Sequence, residues 1–424
     1  MKAALRMTAL AALLLLGFPL LAGVRDEVPP RISGPRILAD TGGEIREVVL
    51  QYSNALASEV LPTYRDFLRQ IGTDTVVHLV CETEKAAREL ERKTEEWKIP
   101  GPGRLKFTVV GREITVWARD RFVLKSASHP VERRVVLLPT VFGYEGDARH
   151  GDRTVPDTVA RTHGMELETV QSNLCFEGGN IVSSGRFLFT GPATLVYARM
   201  IAGEEAMRLI NKEFGKRVVI VGTEDDVAGE DHVDMFLTPL SDSTVLLGDP
   251  LLAACLLESA EEESADAGGE AGIDSMPLEA PPYLYRPSEE VARHYERICR
   301  QLKGLGFRVE RIPIVHTNDE CTITYNNVLM ETRAGLRIVY MPVYGIPELD
   351  RAAKKKYETL GFRVCSVSAA DISKHGGTLR CLTNVLARKF AGKTRSPCGP
   401  GSTAGSAPGL FRGAGKPALE GTGK

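Results

Sequence analysis

Five short polar stretches hold the side chains that could do chemistry. They are Trp117-Ala118-Arg119-Asp120, Phe176-Glu177-Gly178-Gly179-Asn180, Glu230-Asp231-His232-Val233-Asp234-Met235, Thr324-Tyr325-Asn326-Asn327-Val328-Leu329 and Gly376-Gly377-Thr378-Leu379-Arg380-Cys381-Leu382-Thr383. Together they offer a thiol, Cys381, an imidazole, His232, and three acids, Asp120, Glu177 and Asp234. Cysteine with histidine supplies a nucleophile and a general acid/base. A hydrolase of neutral esters or peptides needs oxyanion donors, not several anions around its thiolate. Several carboxylates instead suit a cationic substrate, and a planar guanidinium accepts bidentate carboxylate pairing. Its positive charge would also support the thiolate, as would Arg380 directly before Cys381.

Singly, each stretch reads as structure. Arg119-Asp120 alone is a surface ion pair, and Glu177 before two glycines is a turn that lets a backbone approach closely. His232 and Asp234, two apart, would share a face of an extended segment. That pair could ligate a metal, but no further His or Cys lies nearby to complete a shell. A cysteine in an apolar run is most often buried and inert.

The elements that position these residues repeat. An amphipathic helix ends near a glycine, a short valine-rich strand follows, and then comes a polar turn. The clearest copies are Arg351 to Val364 and Ile298 to Val309, with a third at Met207 to Val219. Fainter ones run from Thr154 to Val170 and from Lys85 to Val110, where Pro100-Gly101-Pro102-Gly103 breaks the helix. The polar turns recur about every 55 residues, and one longer interval holds an acidic insertion. Repeats that each place one loop at the same end converge those loops on a common axis, so the matched spacing favours a ring over an ordinary doubly wound sheet.

In this order and spacing, WARD, FEGGN, EDHVDM, TYNNVL and the Cys381 segment resemble the guanidine-modifying (pentein) superfamily. The agmatine deiminase and bacterial peptidylarginine deiminase family is the nearest match, across about residues 45 to 390. The resemblance implies an α/β fold, a five-bladed propeller with pseudo-fivefold symmetry. It implies that Cys381 attacks the guanidinium carbon, that His232 protonates leaving ammonia and then activates water, and that Glu177 orients His232. Asp120 and Asp234 would hold the guanidinium nitrogens, with Trp117, Arg119, Asn180 and Asn327 also at the substrate. Cys321, Tyr325 and Asn326 would shape the pocket. The implied path is a covalent thiouronium, loss of ammonia and hydrolysis to a ureido product, with no metal or organic cofactor. Agmatine deiminases carry a histidine just before the nucleophile and a glutamine four positions after it. Arg380 and Val385 stand there, and arginine deiminases share the basic residue, so agmatine, arginine and peptidyl arginine all stay open as substrates. The alternatives are an amidinotransferase, which uses an amine acceptor, and a non-catalytic binding pentein.

The remaining features bound these readings. The 424 residues, 43% of them hydrophobic, suffice for a large core, and a formal charge of −2 gives no reason to expect nucleic acid or anionic membranes as partners. Lys2, Arg6 and the apolar run Leu10 to Leu21 read as an export signal over residues 1–23, placing the protein in the periplasm or outside the cell. Stable membrane association is expected only if that signal stays uncleaved. Residues 24–390 form the expected catalytic domain. Residues 258–282, acidic and rich in small residues, read as a surface loop, and residues 391–424, rich in Gly, Ser and Pro, as a disordered tail. The eight cysteines lack CxxC pairs, so neither a zinc site nor a dense disulfide framework is implied.

Overall fold

The computed structural model describes residues 35–126, 134–140, 146–223, 232–266, 286–316 and 321–390, with the backbone alone for 261–266. The expected export signal and the expected tail lie outside the described residues.

Five small sheets follow one another along the chain. Each has the same core: two antiparallel strands, then a helix, then a strand parallel to the second. In the second sheet, Val123–Ser126 pairs antiparallel with Arg134–Leu138, the helix Val155–His163 follows, and Glu168–Gln171 returns parallel. The third uses Val182–Ser183, Phe187–Thr190 and Arg217–Ile220 around the helices Pro192–Ala202 and Ala206–Phe214. The fourth uses Leu237–Pro239, Thr244–Asp249 and Arg308–His316, and Thr322–Thr324 adds a further antiparallel strand. The fifth uses Leu329–Arg333, Leu336–Val343 and Arg363–Ser368 around the helix Pro347–Thr359.

The first sheet closes the ring. Glu44–Tyr52 is parallel to Val76–Cys81, which is parallel to Leu105–Val109, while Thr383–Lys389 from the far end of the described chain pairs antiparallel with Glu44–Tyr52. The predicted α/β architecture of five repeated units is thus the observed one. Local chemistry explains the elements: β-branched runs such as Val76-Val77, Val135-Val136 and Val218-Val219 suit strands. Thr83 caps the helix Glu84–Glu96 by accepting from the Ala86 N–H at 3.2 Å. The longer amphipathic helices turn an apolar stripe inward; Val60, Tyr64, Phe67 and Leu68 of the helix Ala57–Gln70 are all buried in one core with Ile45, Val48 and Leu79.

Two expectations change. The helix Pro250–Asp266 carries order into the acidic insertion, since its alanines, leucines and glutamates are good helix formers, and the rest of the expected loop lies outside the described residues. His232 and Asp234 do not lie on an extended segment: Val233–Phe236 is a single helical turn, with His232 just before it. No helix among the described residues is long and apolar enough to cross a membrane.

Candidate active site

Every polar stretch proves to be the link from one sheet into the first strand of the next. The Asp120 loop runs into Val123–Ser126, the Glu177 loop into Val182–Ser183, the His232 turn into Leu237–Pro239, the Asn327 loop into Leu329–Arg333 and the Cys381 loop into Thr383–Lys389. A period of one sheet therefore puts one loop per unit around a common axis.

The loops are laced to one another. Arg119 N–H donates to the Cys381 carbonyl at 3.1 Å, and Gly178 N–H to the Asp120 carbonyl at 2.8 Å. Val233 N–H donates to Asn180 Oδ1 at 3.2 Å. Thr324 Oγ1 donates to the Met235 carbonyl. Asn327 Oδ1 accepts from Thr378 Oγ1 at 2.8 Å, from Arg380 N–H at 2.7 Å and from Cys381 N–H at 3.2 Å, which completes the circuit. Close approach requires the glycines: a Cβ on Gly179 would lie 2.2 Å from His232 Nδ1, and one on Gly377 would lie 2.5 Å from the Trp117 ring.

Within this ring the predicted side chains converge. Cys381 Sγ, with the residue only 4% exposed, accepts from Asn327 Nδ2 at 3.2 Å and lies 3.9 Å from Met235 Sδ. His232 Nε2 meets Glu177 Oε2 at 2.6 Å, and its Nδ1 lies 3.9 Å from Asp120 Oδ1. The His232 and Glu177 side chains remain 21% and 37% exposed, so the site opens to solvent on their side, whereas Asp120 and Asp234 are buried.

Three arginines stand behind the three acids. Arg149 Nη1 lies 2.6 Å from Asp120 Oδ2, Arg121 Nη1 2.9 Å from Glu177 Oε1, and Arg380 Nη1 3.2 Å from Asp234 Oδ2. Asp120 Oδ1 and Asp234 Oδ1 are buried with no hydrogen-bond partner among the described residues. Leaving a carboxylate oxygen bare in a buried site is costly, so these two atoms mark where a cationic ligand fits.

Burial pushes the Asp234 carboxyl up to about 6, against the pull of Arg380. Burial opposes a charged His232, but its hydrogen bond to Glu177 and the nearby Asp120 raise it to about 9. The same hydrogen bond overcomes burial at Glu177 and lowers it to about 2. Burial, then Asp234 and Asp120, hold the Cys381 thiol well above its ordinary range, so it is a thiol when the site is empty. Arg380 attracts the thiolate as expected, but its guanidinium is engaged by Asp234 and by Asp40 Oδ1, 2.8 Å away, and burial with the two acids outweighs it at the sulfur.

The other predicted substrate contacts hold the loops. Arg119 donates from Nε to the Gly178 carbonyl at 2.9 Å and from Nη2 to the Ile181 carbonyl at 2.6 Å. Asn180 meets the His232 turn, Trp117 packs on the Cys381 loop, and Asn327 holds both the backbone and the sulfur of Cys381. Sequence reasoning missed Arg149, Arg121 and Asp40. Arg121 follows Asp120 directly and could have been singled out, but Arg149 and Asp40 carry no local signal. Among the described residues no group of three or more His, Cys, Asp or Glu is arranged to hold a metal ion.

Five α/β sheets with one polar link each, around a buried thiol, an imidazole and paired acids, define the pentein class of guanidino-group hydrolases. Residues 50–386 match the Porphyromonas-type peptidyl-arginine deiminase family, and the chain belongs to it. Solved structures agree in fold. The agmatine deiminase of Enterococcus faecalis is 14% identical with a TM-score of 0.60, over 85% of this chain and 97% of that one. The C. jejuni agmatine deiminase is 17% identical with a TM-score of 0.56, over 85% and 97%. A Cys→Ser variant of the C. jejuni enzyme with substrate bound gives 16% and 0.57, over 84% and 98%. No curated protein matches the sequence.

Proposed function

We propose that the chain is a guanidine deiminase acting on peptidyl arginine or a related arginine derivative, with Cys381 as nucleophile. The observation that carries this reading is the pair of bare, buried oxygens, Asp120 Oδ1 and Asp234 Oδ1, on carboxylates close enough to Cys381 to raise its pKa. A guanidinium donating to both would pair two buried charges and place its carbon near the sulfur. Its charge lowers the thiol's pKa, and the thiol loses its proton to solvent as the substrate seats.

The thiolate then forms a bond to the guanidinium carbon, whose C=N electrons move onto nitrogen. His232, protonated at neutral pH, gives its Nδ1 proton to the departing amino group, the C–N bond breaks and ammonia leaves a thiouronium. The now neutral imidazole takes a proton from water as its oxygen adds to the same carbon. The C–S bond breaks, the hydroxyl proton passes to solvent as the carbonyl forms, the thiolate is regenerated, and a ureido product remains. Glu177, bonded to Nε2, holds the ring with Nδ1 toward the site.

The test is a panel of arginine, agmatine and arginyl peptides followed for ammonia and ureido product. Release with peptides and its absence in Cys381→Ala supports the reading. Transfer of the amidino group to an added amine without ammonia would replace it with an amidinotransferase, and no turnover of any guanidine would sink it. The signal-like residues 1–23 lead us to infer that the enzyme acts outside the cytoplasm, which N-terminal sequencing of protein recovered from the periplasm or medium checks.

A further inference from the structure

Beneath the site, one guanidinium is shared between two acids. Arg380, 3% exposed, donates from Nη1 to Asp234 Oδ2 at 3.2 Å. From Nη2 it donates to Asp40 Oδ1 at 2.8 Å and to the Ile181 carbonyl at 3.1 Å. Asp40 lies in the stretch between the strands Arg36–Ile37 and Glu44–Tyr52, away from the five polar links. It is pinned there to the third sheet. Its N–H donates to the Ser183 carbonyl at 2.8 Å, and its Oδ2 accepts from Ser183 N–H at 2.8 Å. Burial opposes its charge, but Arg380, then Arg119 and Arg388, overcome this and hold its carboxyl below the ordinary range. Asp40 is an anion fixed in place, and one arm of Arg380 is fixed with it.

The consequence falls on Asp234. A guanidinium beside a carboxylate tends to take both oxygens with two parallel N–H bonds. Arg380 does not. Asp234 receives one of its nitrogens on Oδ2, while Oδ1 stays buried with no hydrogen-bond partner among the described residues. With Nη2 turned to Asp40 and Ile181, the Arg380 fork is split between two acids rather than closed on one. Of the two acceptors on Nη2, the carboxylate is the stronger, since a hydrogen bond between charged partners is roughly twice as strong as a neutral one.

We propose that Asp40 is a positioning residue: by holding Nη2 of Arg380 it keeps that guanidinium from closing over Asp234, and so reserves Asp234 Oδ1 for the guanidinium of the substrate. Arg380 carries the same chemical group as the substrate and stands on the same acid, so it is both a counter-ion of Asp234 and a competitor for it. Asp40 acts through Arg380 and decides which of these it is. The inference rests on the reading of Asp234 as a substrate clamp and goes beyond it by assigning what keeps the clamp open.

The test is Asp40→Ala in the full chain, followed by steady-state kinetics on an arginyl peptide and by a crystal structure without ligand. Arg380 should then place two nitrogens on the two Asp234 oxygens. KM should rise about tenfold or more while kcat changes by less than about threefold, because the substrate must first displace Arg380 and the chemistry that follows is unaltered. If Asp40→Ala does not fold, Asp40→Asn takes its place with the same expectation, since its one carbonyl oxygen cannot serve both Ser183 N–H and Arg380. An Arg380 that keeps a single bond to Asp234 in the variant overturns the proposal, as does a fall in kcat with KM unchanged. The crystal structure needs no turnover, so the two readings fail separately: a wild-type protein that turns over no guanidine sinks the proposed function, and an unmoved Arg380 sinks the role of Asp40.

Discussion

Asp152 and Asp234 are both fully buried acids, and burial pushes both up to about 6, yet they sit in opposite kinds of region. Asp152 accepts from Gln51 Nε2 at 2.7 Å, Thr115 N–H at 2.8 Å and Thr115 Oγ1 at 2.8 Å, so both its oxygens are paired. Asp234 has Arg380 on one oxygen and no hydrogen-bond partner among the described residues on the other. A displaced pKa thus does not separate a structural acid from a receptive one. What separates them is a lone pair left open beside a nucleophile. The Asp152 region gains stability from completeness; the Asp234 region forgoes it and keeps a place for a ligand.

The largest effect expected is at the nucleophile. Cys381→Ala should lower kcat by about 10⁴-fold or more while leaving the fold intact, as read by ammonia release and circular dichroism. The two acids should then diverge. Asp234→Asn should lower kcat/KM by roughly 10²–10³-fold with little loss of melting temperature, because it removes one member of an electrostatic clamp. Asp152→Asn should leave kcat/KM within about twofold but cost on the order of 1–3 kcal/mol in denaturant unfolding. Equal activity losses in the two would erase the distinction.

Smaller effects follow from protonation. With Asp234 near 6 and His232 near 9, kcat/KM should fall below about pH 6, as the clamp loses its charge, and above about pH 9, as the acid loses its proton. Glu177→Gln should cost about tenfold and move the alkaline limb down toward the ordinary histidine range. The smallest effect is on stability. The raised His232 stabilises the fold fully below its ordinary 6.5 and loses this as pH rises through about 9. The lowered Glu177 stabilises it above its ordinary 4.5 and loses this as pH falls through about 2. The pair's shared contribution should therefore be complete between about 4.5 and 6.5, and melting curves of wild type against Glu177→Gln across pH check it.

Much of this was legible because a repeat writes itself twice, once in periodicity and once in the polar link each period leaves behind. Cys381, His232, Asp120, Glu177 and Asp234 sit at matched points of successive units, and that spacing is a sequence property. The counterions are not. Arg149 reaches Asp120 from a short helix beside the second sheet, and Asp40 reaches Arg380 from the far end of the chain, so neither shares a period with its partner. The short turn at His232 was misjudged because Asn180 Oδ1, more than fifty residues away, receives the first N–H of that turn. Arg380 does act on the thiol it precedes, but Asp40 and Asp234 engage its guanidinium directly, and neither contact is visible in the local sequence.

Closure of the first sheet has a consequence for biosynthesis. The strand Thr383–Lys389 is the last of the described strands to be made, and it must pair with Glu44–Tyr52, the second made, before the ring exists. The loop bearing Cys381 leads directly into that strand. On a growing chain, four of the five loops can emerge and their sheets can form while no thiol stands opposite the imidazole. On the proposed function, a chain released early would be chemically inert, and reactivity would switch on only when the two ends meet.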